Sequence, residues 1–340
     1  MNIIVPMAGR GSRLRPHTLT VPKPLVPVAG KPIVERLVED IVRTAHDKVD
    51  NICFVTGEFG EDVERELVAV AERLGAKGHI RYQDQPLGTA HAILCGKDFL
   101  DGPVFVAFAD TLFRADFTID PEADGVLFCQ RIEDPSAFGV VVTNDAGTIV
   151  DYVEKPQKWV GDLAMIGIYA FKDGARLNRE LQHLIDNNVM KGGEYQLPDA
   201  LRNMTQDGLK FIPGEVSEWM DCGNKAVTVE TNSRILGILE EEGRLDPVPA
   251  SATVTNSVIL PPCHIGEGVV IERSVIGPHV TLGAGTVVTD SRVSNALVAG
   301  ESRIEYAVLD GAMIGAHAAW HGHPDDASIG DYCTVGNPQG

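Results

Sequence analysis

The chain has 340 residues, of which 44% are hydrophobic and 23% charged, and its formal net charge is −19. This composition is ordinary for a folded globular protein, and the acidic excess argues against nucleic acid as a partner. No apolar run approaches the roughly 18 residues that a membrane span needs, and six scattered cysteines without a Cys-x-x-Cys pair favour reduced thiols in the cytoplasm.

The first 34 residues contain no Asp or Glu, although the whole chain is acidic. The apolar run 2–7 predicts a buried strand, and Ala8, Gly9, Gly11 and Ser12 follow it directly. Glycines at such a turn let backbone N–H groups close around an anion. The basic residues of the segment are Arg10, Arg13, Arg15, Lys23 and Lys31. A positive segment on an acidic chain therefore predicts an anion site.

Strand-like runs alternate with amphipathic helical patterns from residue 33 to residue 109. The predicted strands are 52–56, 79–83 and 104–109, and the predicted helices are 33–42, 63–74 and 89–95. This alternation indicates βαβ units with a parallel sheet. Ligands of such sheets bind beyond the carboxyl ends of the strands, where the Gly9 loop, Gly88 and Asp110 would fall.

The pattern then shifts to longer strands, followed by two helices. The strands are predicted at 125–131, 138–144, 148–154 and 163–171, and the helices at 173–187 and 225–241. We therefore expect an α/β domain over residues 1–240, with a Rossmann-like, mixed and mostly parallel sheet. The polar, proline-bearing segment 241–250 predicts a linker.

After residue 250, aliphatic residues recur at intervals of six. The interval separates Val270, Ile276, Leu282 and Val288, and also Val298 from Ile304, Val308 from Ile314, and Ile329 from Val335. Such a hexapeptide repeat is typical of a left-handed parallel β-helix, in which each aliphatic residue points inward and three hexads close one coil. Residues 251–340 therefore predict a short β-helix of about five coils. Its exposed edges predict a homo-oligomer.

The glycine-rich loop belongs to a longer pattern. Its residues closely resemble the signature of sugar-1-phosphate nucleotidylyltransferases at 9–18, at Pro22-Lys23-Pro24 and at Lys31-Pro32. The resemblance implies transfer of a nucleotidyl group from a nucleoside triphosphate to a sugar 1-phosphate. It also implies that Arg13 grips the β- and γ-phosphates and that Lys23 lies near the α-phosphate. A dinucleotide fingerprint fits less well, because Leu14 occupies the place of its third glycine.

Two aspartates match the metal-binding positions of the same family. Asp110 ends a predicted strand in Ala109-Asp110-Thr111, without the glycine that the family usually has there, and Asp221 lies in Trp219-Met220-Asp221. Two carboxylates with phosphate oxygens and water suit Mg²⁺, which is therefore the expected cofactor. The structural alternatives are a strand-end turn for Asp110 and a helix cap for Asp221.

Residues 82–92 resemble the base-reading segment of the family. The resemblance implies that Gln83 reads a pyrimidine edge, with Gln85 as the second choice. Gly88 would let the backbone approach the base, and Thr89 would cap the helix that follows and contact the ligand. The segment favours UTP or dTTP without separating them, because one methyl group contributes only about 1 kcal/mol.

Phe138-Gly139 and Glu154-Lys155-Pro156 resemble the family's sugar contacts. Gly139 would lie against the sugar, Glu154 would accept from its hydroxyls, and Lys155 would hold the attacking phosphate. Gly167 and Tyr169 fit the next strand of the family, whereas Met165 stands where an asparagine is usual. Glucose 1-phosphate is the favoured acceptor, and the asparagine position leaves the sugar open.

Two further functions stay open from the sequence. The β-helix is a candidate acetyltransferase with His264, His279 and His317 as candidate bases, and the whole chain is a candidate non-catalytic relative that binds nucleotide sugars or scaffolds a complex. The segment 320–326 contains histidines and aspartates, for which a polar loop is a better interpretation than a metal site.

Overall fold

The computed structural model describes residues 1–9, 11–45, 47–115 and 122–323. Arg10, Asp325, Asp326 and the predicted pair Ile329 and Val335 lie outside the described residues. The chain divides into two compact units, residues 1–231 and residues 232–340. The two units are described one after the other.

The first unit combines helices with a large sheet. Its helices are α1 (Ile33–Thr44), α2 (Glu61–Arg73), α3 (Thr89–Cys95), α4 (Gly174–Asp186), α5 (Leu197–Gln206) and the beginning of α6 (Lys225–Glu241). Its described strands are β1 (Asn2–Pro6), β2 (Pro27–Val28), β3 (Lys31–Pro32), β4 (Asn51–Thr56), β5 (Lys77–Tyr82), β6 (Val104–Ala107), β7 (Thr111–Arg114), β8 (Gly125–Arg131), β9 (Gly139–Thr143), β10 (Ile149–Glu154), β11 (Leu163–Phe171), β12 (Phe211–Glu215) and β13 (Glu218–Asp221). Short 3-10 turns cover Ser12–Leu14, Lys23–Leu25 and Lys97–Phe99.

The main sheet is mixed. Its strands run in the order β10-β9-β11-β6-β1-β4-β5, and β8 pairs with both β11 and β12. Strands β6, β1, β4 and β5 are parallel to one another, whereas β11 is antiparallel to β6, β8 and β9. Strand β1 lies between β4 and β6, so the strand order reverses at β1. Such a reversal opens a crevice beyond the carboxyl end of the strand. The predicted Rossmann-like mixed sheet is confirmed.

Buried aliphatic residues of the sheet pack with those of two helices in the core of the first unit. Ile4, Val55 and Val106 on adjacent parallel strands are fully buried, and Leu181 of α4 and Leu201 of α5 belong to the same core. The helical spacing predicted α1 and α3 with close bounds. Helix α5 and the short strands β7, β12 and β13 were not predicted, and β7 and β13 prove central to the site.

The second unit contains a three-sided parallel β-helix. Its described strands are β14 (Thr253–Thr255), β15 (Val258–Ile259), β16 (Cys263–Ile265), β17 (Val270–Glu272), β18 (Val275–Ile276), β19 (Val280–Leu282), β20 (Val287–Thr289), β21 (Arg292–Ser294), β22 (Ala296–Val298), β23 (Arg303–Glu305), β24 (Val308–Asp310), β25 (Met313–Ile314) and β26 (Ala319–His321). They form three parallel sheets in the orders β14-β17-β20-β23-β26, β15-β18-β21-β24 and β16-β19-β22-β25. This architecture confirms the β-helix, and the hexapeptide pattern is typical of the left-handed class.

The inward register differs from the predicted one at two places. Ile271, not Val270, pairs with Val288 and is 0% exposed, and Val308 is 83% exposed while Leu309 faces inward. Equivalent residues lie 17 positions apart in the early coils and 16 in the later ones, so a coil is shorter than three full hexads. Arg273 directly follows its strand with a left-handed backbone (φ 46°), a conformation that tightens the corner.

Two features are absent from the described residues. Among them, no helix is long and apolar enough to cross a membrane. Within the same residues, His, Cys, Asp and Glu side chains form no group of three or more that could hold a metal ion.

Candidate active site

A cavity of about 390 Å³ lies beyond the carboxyl ends of β1 and β6. It is the place where ligands bind sheets whose strand order reverses. Ten of the residues predicted from the sequence contribute to its lining: Ala8, Gly9, Gly11, Ser12, Arg13, Lys23, Gln83, Gly88, Thr89 and Asp110. The fold therefore brings the glycine-rich loop, the two cations and the segment that follows β5 to one cavity.

The glycine-rich loop owes its shape to Gly11. This residue has a left-handed backbone (φ 57°), and a Cβ there would lie 2.8 Å from Cβ of Lys23. Its carbonyl oxygen accepts hydrogen bonds from Thr18 Oγ1 at 2.7 Å and from the N–H of Leu14 at 3.0 Å. Only glycine fits this close approach without strain, so the loop is fixed directly over Lys23.

Lys23 places a buried ammonium group at the end of β6. The residue is 7% exposed, and its Nζ donates to Asp110 Oδ2 at 3.1 Å. A buried ammonium requires a charged or strongly polar partner, and Asp110, whose side chain is 45% exposed, supplies one from the cavity wall. The pair therefore presents one positive and one negative group to the same space.

Asp221 reaches Asp110 through a short antiparallel strand pair. Strand β13 pairs with β7 so that Asp221 faces Thr111, and the N–H of Cys222 donates to the carbonyl oxygen of Asp110 at 3.1 Å. Burial raises the pKa of Asp221, and the charge of Asp110 raises it further, while Lys23 and Arg13 act in the opposite direction. The two predicted metal carboxylates therefore lie close enough to repel each other.

The repulsion between Asp110 and Asp221 would be relieved by a divalent cation bound between the two carboxylates. Two neighbouring carboxylates offer oxygen ligands of the kind that Mg²⁺ prefers, and such a pair leaves ligand positions for phosphate oxygens and water. A bound cation would also neutralise the charge that Asp221 carries in a desolvated position. The residues present at the end of β6 and β13 therefore fit a divalent metal.

Two hydrogen bonds hold the side chain of Gln83, which also lines the cavity. Its Nε2 donates to the carbonyl oxygen of Gly88 and to Nδ1 of His91, both at 3.2 Å. Gly88 has φ 103°, and a Cβ there would lie 2.5 Å from the carbonyl oxygen of Tyr195. Gln85 is exposed and does not contribute to the cavity lining. Of the two glutamines, only Gln83 is brought to the cavity.

The Thr89 hydroxyl has a different role from the predicted cap. Helix α3 begins at Thr89 and has no side-chain cap. Thr89 Oγ1 instead accepts the N–H of Leu197, the first residue of α5, at 2.9 Å. The prediction that Thr89 caps the following helix is therefore wrong, because its hydroxyl bonds a helix that lies far along the chain.

The predicted sugar residues lie on strands β9, β10 and β11, with Lys155 directly after β10, and none of them lines the cavity. Gly139 pairs with Glu154, and a Cβ on Gly139 would lie 2.8 Å from Glu154 Oε2 and 2.7 Å from Cε of Met165. Lys155 is exposed, and its N–H donates to the carbonyl oxygen of Phe138 at 3.0 Å. Gly139 therefore leaves room for the Glu154 carboxylate.

Gly167 and Tyr169 lie on the strand beside β6. The carbonyl oxygen of Gly167 accepts the N–H of Phe108, a residue that lines the cavity, at 2.9 Å. Tyr169 is only 6% exposed, with its ring stacked on Phe171 and edge-on to Phe108. In this structure Tyr169 belongs to the core and is not brought to the cavity.

Among the residues that sequence reasoning gave no role are Glu194, in the cavity lining, and Trp219, on the strand that carries Asp221. Glu194 lines the cavity, and no local pattern identified it, since the loop before α5 carries it there. The Trp219 ring lies 4.9 Å from the Phe138 ring, and its buried Nε1 has no hydrogen-bond partner within the described residues. Trp219 precedes Asp221 by two positions on β13, so strand periodicity could have placed both on one face.

Comparison with known proteins gives consistent matches. The nucleotidyl transferase family matches residues 2–236. Glucose-1-phosphate thymidylyltransferases of Streptomyces griseus and Streptomyces antibioticus are 29% and 31% identical, each over 93% of this chain and 92% of the relative. A UDP-glucose pyrophosphorylase solved with UDP-glucose shares the fold, with a TM-score of 0.57 and 23% identity over 70% of this chain and 98% of that one. The chain belongs to the nucleotidyl transferase family.

Proposed function

We propose that the protein transfers a nucleotidyl group from dTTP or UTP to glucose 1-phosphate and releases pyrophosphate. The observation that carries this proposal is the meeting, at one cavity, of the glycine-rich loop, the buried ammonium of Lys23 and the carboxylate of Asp110, with Asp221 close enough to Asp110 for the two charges to interact. Both reactants are anions, so the reaction needs them to be aligned and their charge neutralised.

The cations and the loop divide this work. Backbone N–H groups of Ala8, Gly9, Gly11 and Ser12 bind phosphate oxygens, and the planar guanidinium of Arg13 contacts the β- and γ-phosphates with two parallel hydrogen bonds. Lys23 lies near the α-phosphate, where negative charge accumulates as the sugar phosphate attacks. Its burial strengthens that electrostatic effect, since the local dielectric is low.

Asp110 and Asp221 would hold Mg²⁺. The ion supplies Lewis-acid charge stabilisation to the phosphoryl group that is transferred. Lys23 contacts Asp110 directly and therefore also orients one of these two ligands.

The acceptor side of the proposal rests on β9 and β10. The Glu154 carboxylate and the Lys155 ammonium are both exposed at the end of β10, where they can accept from sugar hydroxyls and bind the attacking phosphate. Gly139 keeps the neighbouring position free of a side chain. Glucose is proposed as the sugar, in line with the names of the two Streptomyces relatives.

The β-helix is proposed as an assembly domain, and the protein as a cytoplasmic homo-oligomer. Acetyl transfer stays a prediction for this unit. Of the candidate bases, His279 Nδ1 lies 3.2 Å from Asn295 Oδ1, and Asn295 Nδ2 donates to Asp310 at 2.8 Å. Light scattering tests the assembly, and a monomer would contradict it.

A pyrophosphate-release screen tests the activity. It crosses dTTP, UTP, CTP, GTP and ATP with the 1-phosphates of glucose, galactose, mannose and N-acetylglucosamine. We expect the strongest release of pyrophosphate when dTTP or UTP, whose bases carry a ring N–H, is combined with glucose 1-phosphate. No release with any pair, despite nucleotide binding, would instead support the non-catalytic binding function.

A double variant tests the two carboxylates. Asp110→Ala combined with Asp221→Ala should abolish release, and Asp145→Ala is the matched control because Asp145 is exposed in the turn between β9 and β10. Release by the double variant at the wild-type rate would refute the metal assignment.

A further inference from the structure

The amide of Gln83 can have only one orientation in this structure. The carbonyl oxygen of Gly88 lies 3.2 Å from one terminal atom of the side chain. Because a carbonyl oxygen only accepts hydrogen bonds, that terminal atom must be the NH₂ group. The other terminal atom, Oε1, has no hydrogen-bond partner within the described residues, and Gln83 lines the cavity.

The same NH₂ group fixes the state of His91. Nδ1 of His91 also lies 3.2 Å from Gln83 Nε2. Since the NH₂ group donates, Nδ1 must accept, which requires a neutral imidazole with its proton on Nε2. Burial lowers the pKa of His91 and favours this neutral form. Within the described part of the chain, Cys95 Sγ, 4.0 Å from Nδ1, is the other polar group beside that nitrogen.

We propose that His91 is a positioning residue that sets nucleobase selection, by holding the Gln83 amide so that only its oxygen faces the base. The proposal deepens the nucleotidyl transfer proposed above and rests on it for the identity of the ligand. With both hydrogens of Nε2 engaged, Gln83 presents an acceptor alone. The base must therefore present a hydrogen-bond donor to that oxygen.

This requirement divides the nucleobases into two classes. Uracil and thymine carry N3–H, and guanine carries N1–H, so each can donate to Gln83 Oε1. In the same pose, cytosine N3 and adenine N1 are acceptors that face the glutamine oxygen lone pair to lone pair, and their exocyclic amino groups reach Oε1 only if the base shifts. Discrimination of this kind comes from a repulsive contact as well as from an attractive one. It does not depend on the size of the base.

Helix α3 supplies the geometry. It begins at Thr89 directly after Gly88, so the carbonyl of Gly88 and the imidazole of His91 lie within one helical turn. The N–H of Gln83 donates to the carbonyl oxygen of Thr56 at 2.9 Å, which fixes the glutamine backbone from the β4 side. The side chain is therefore held at two points and the backbone at a third, and only His91 holds Gln83 through a side chain that a substitution can change.

Calorimetry on the full-length protein tests the proposal by measuring the equilibrium binding of two probes, UTP and CTP. The variants are His91→Leu, which has no acceptor, and His91→Asn, whose Oδ1 can replace Nδ1 as an acceptor. His183→Leu is the matched control, because His183 is exposed on α4, away from the cavity. Pyrophosphate release is measured in parallel.

In His91→Leu we expect the ratio of the Kd for CTP to the Kd for UTP to fall about tenfold, since one oriented hydrogen bond is lost. We expect it to stay within about threefold of wild type in His91→Asn, and to be unchanged in His183→Leu. A structural role alone would weaken both nucleotides equally. An unchanged preference in His91→Leu, or equal binding of UTP and CTP by the wild type, would overturn the proposal.

A second measurement uses the wild-type protein and therefore does not depend on the folding of any variant. Long-range ¹H–¹⁵N correlation of the wild-type His91 ring should show the proton on Nε2 and none on Nδ1, and a proton on Nδ1 would overturn the proposal. If the binding preferences follow the expectation while no pyrophosphate is released, the transferase function fails and the role of His91 stands. If pyrophosphate is released while the preference for UTP over CTP is unchanged in His91→Leu, the transferase function stands and the role of His91 fails.

Discussion

Gly88 offers the sharpest test of how the cavity is built. Its φ of 103° is a conformation that side-chain-bearing residues rarely adopt, and a Cβ there would lie 2.5 Å from the carbonyl oxygen and 2.9 Å from the nitrogen of Tyr195. Both contacts are with backbone atoms. The Tyr195 backbone is held in turn by hydrogen bonds with Leu87 and Ala90 at 2.8 and 3.0 Å, so it cannot move aside freely.

Gly88→Ala therefore combines two costs. The strained backbone costs roughly 1–3 kcal/mol, and the overpacking against Tyr195 costs roughly another 1–3 kcal/mol. We expect a destabilisation of about 4 kcal/mol, which for a unit of this size lowers the melting temperature by roughly 10 °C. Because the carbonyl of Gly88 also holds Gln83, KM for the nucleotide should rise more than KM for the sugar phosphate.

Gly75 provides a matched control for the backbone strain. Its φ is 79°, and no atom lies within 4 Å of where a Cβ would be placed. Gly75→Ala should therefore lower the melting temperature by only about 3 °C. Scanning calorimetry of the two variants measures the difference, and melting temperatures within about 2 °C of each other would refute the argument that Tyr195 closes against Gly88.

Three other substitutions test the site and the core. Lys23→Gln removes the ammonium group beside Asp110, so kcat should fall by roughly 10²–10³; a loss below tenfold, measured against the exposed control Lys158→Gln, would contradict a role at the α-phosphate. Burial raises the pKa of Asp221, so the folded state holds its proton more tightly than the unfolded state does, and stability is lost as pH rises through the folded pKa. Asp221→Asn should therefore lose activity yet melt above wild type at pH 7, and a lower melting temperature would refute this. Tyr152→Phe removes the hydroxyl 2.8 Å from Thr205 Oγ1, and the free energy of unfolding in urea should fall by about 0.5–1.5 kcal/mol, with an unchanged value counting against that hydrogen bond.

Local sequence patterns predicted the regular elements of the first unit well. The helical spacing after Pro32 predicted 33–42, and α1 spans Ile33–Thr44; the short helix at 89–95 coincides with α3. These elements were predictable because a buried face repeats over several residues. Strands β7 and β13 span only four residues each, too few for such a repeat, and each exists because it pairs with the other.

The β-helix shows a different limit. The interval of six identified the architecture, but Val270 and Val308 were assigned to the interior and lie beside the residues that occupy it. Successive coils of 17 and 16 residues drop positions at the corners. A strict period therefore drifts out of register, and a shift of one residue on a strand turns a side chain from one face to the other.

The sequence by itself determined the family, the glycine-rich loop with its basic residues, and the presence of a β-helix, because each is carried by residues that are close together in the chain. Only the tertiary structure decided that Asp221 meets Asp110, that Gln83 rather than Gln85 faces the cavity, and that Tyr169 lies in the core. These outcomes depend on which distant strands and helices contact each other. Such contacts follow from the packing of the whole unit, which no local spacing encodes.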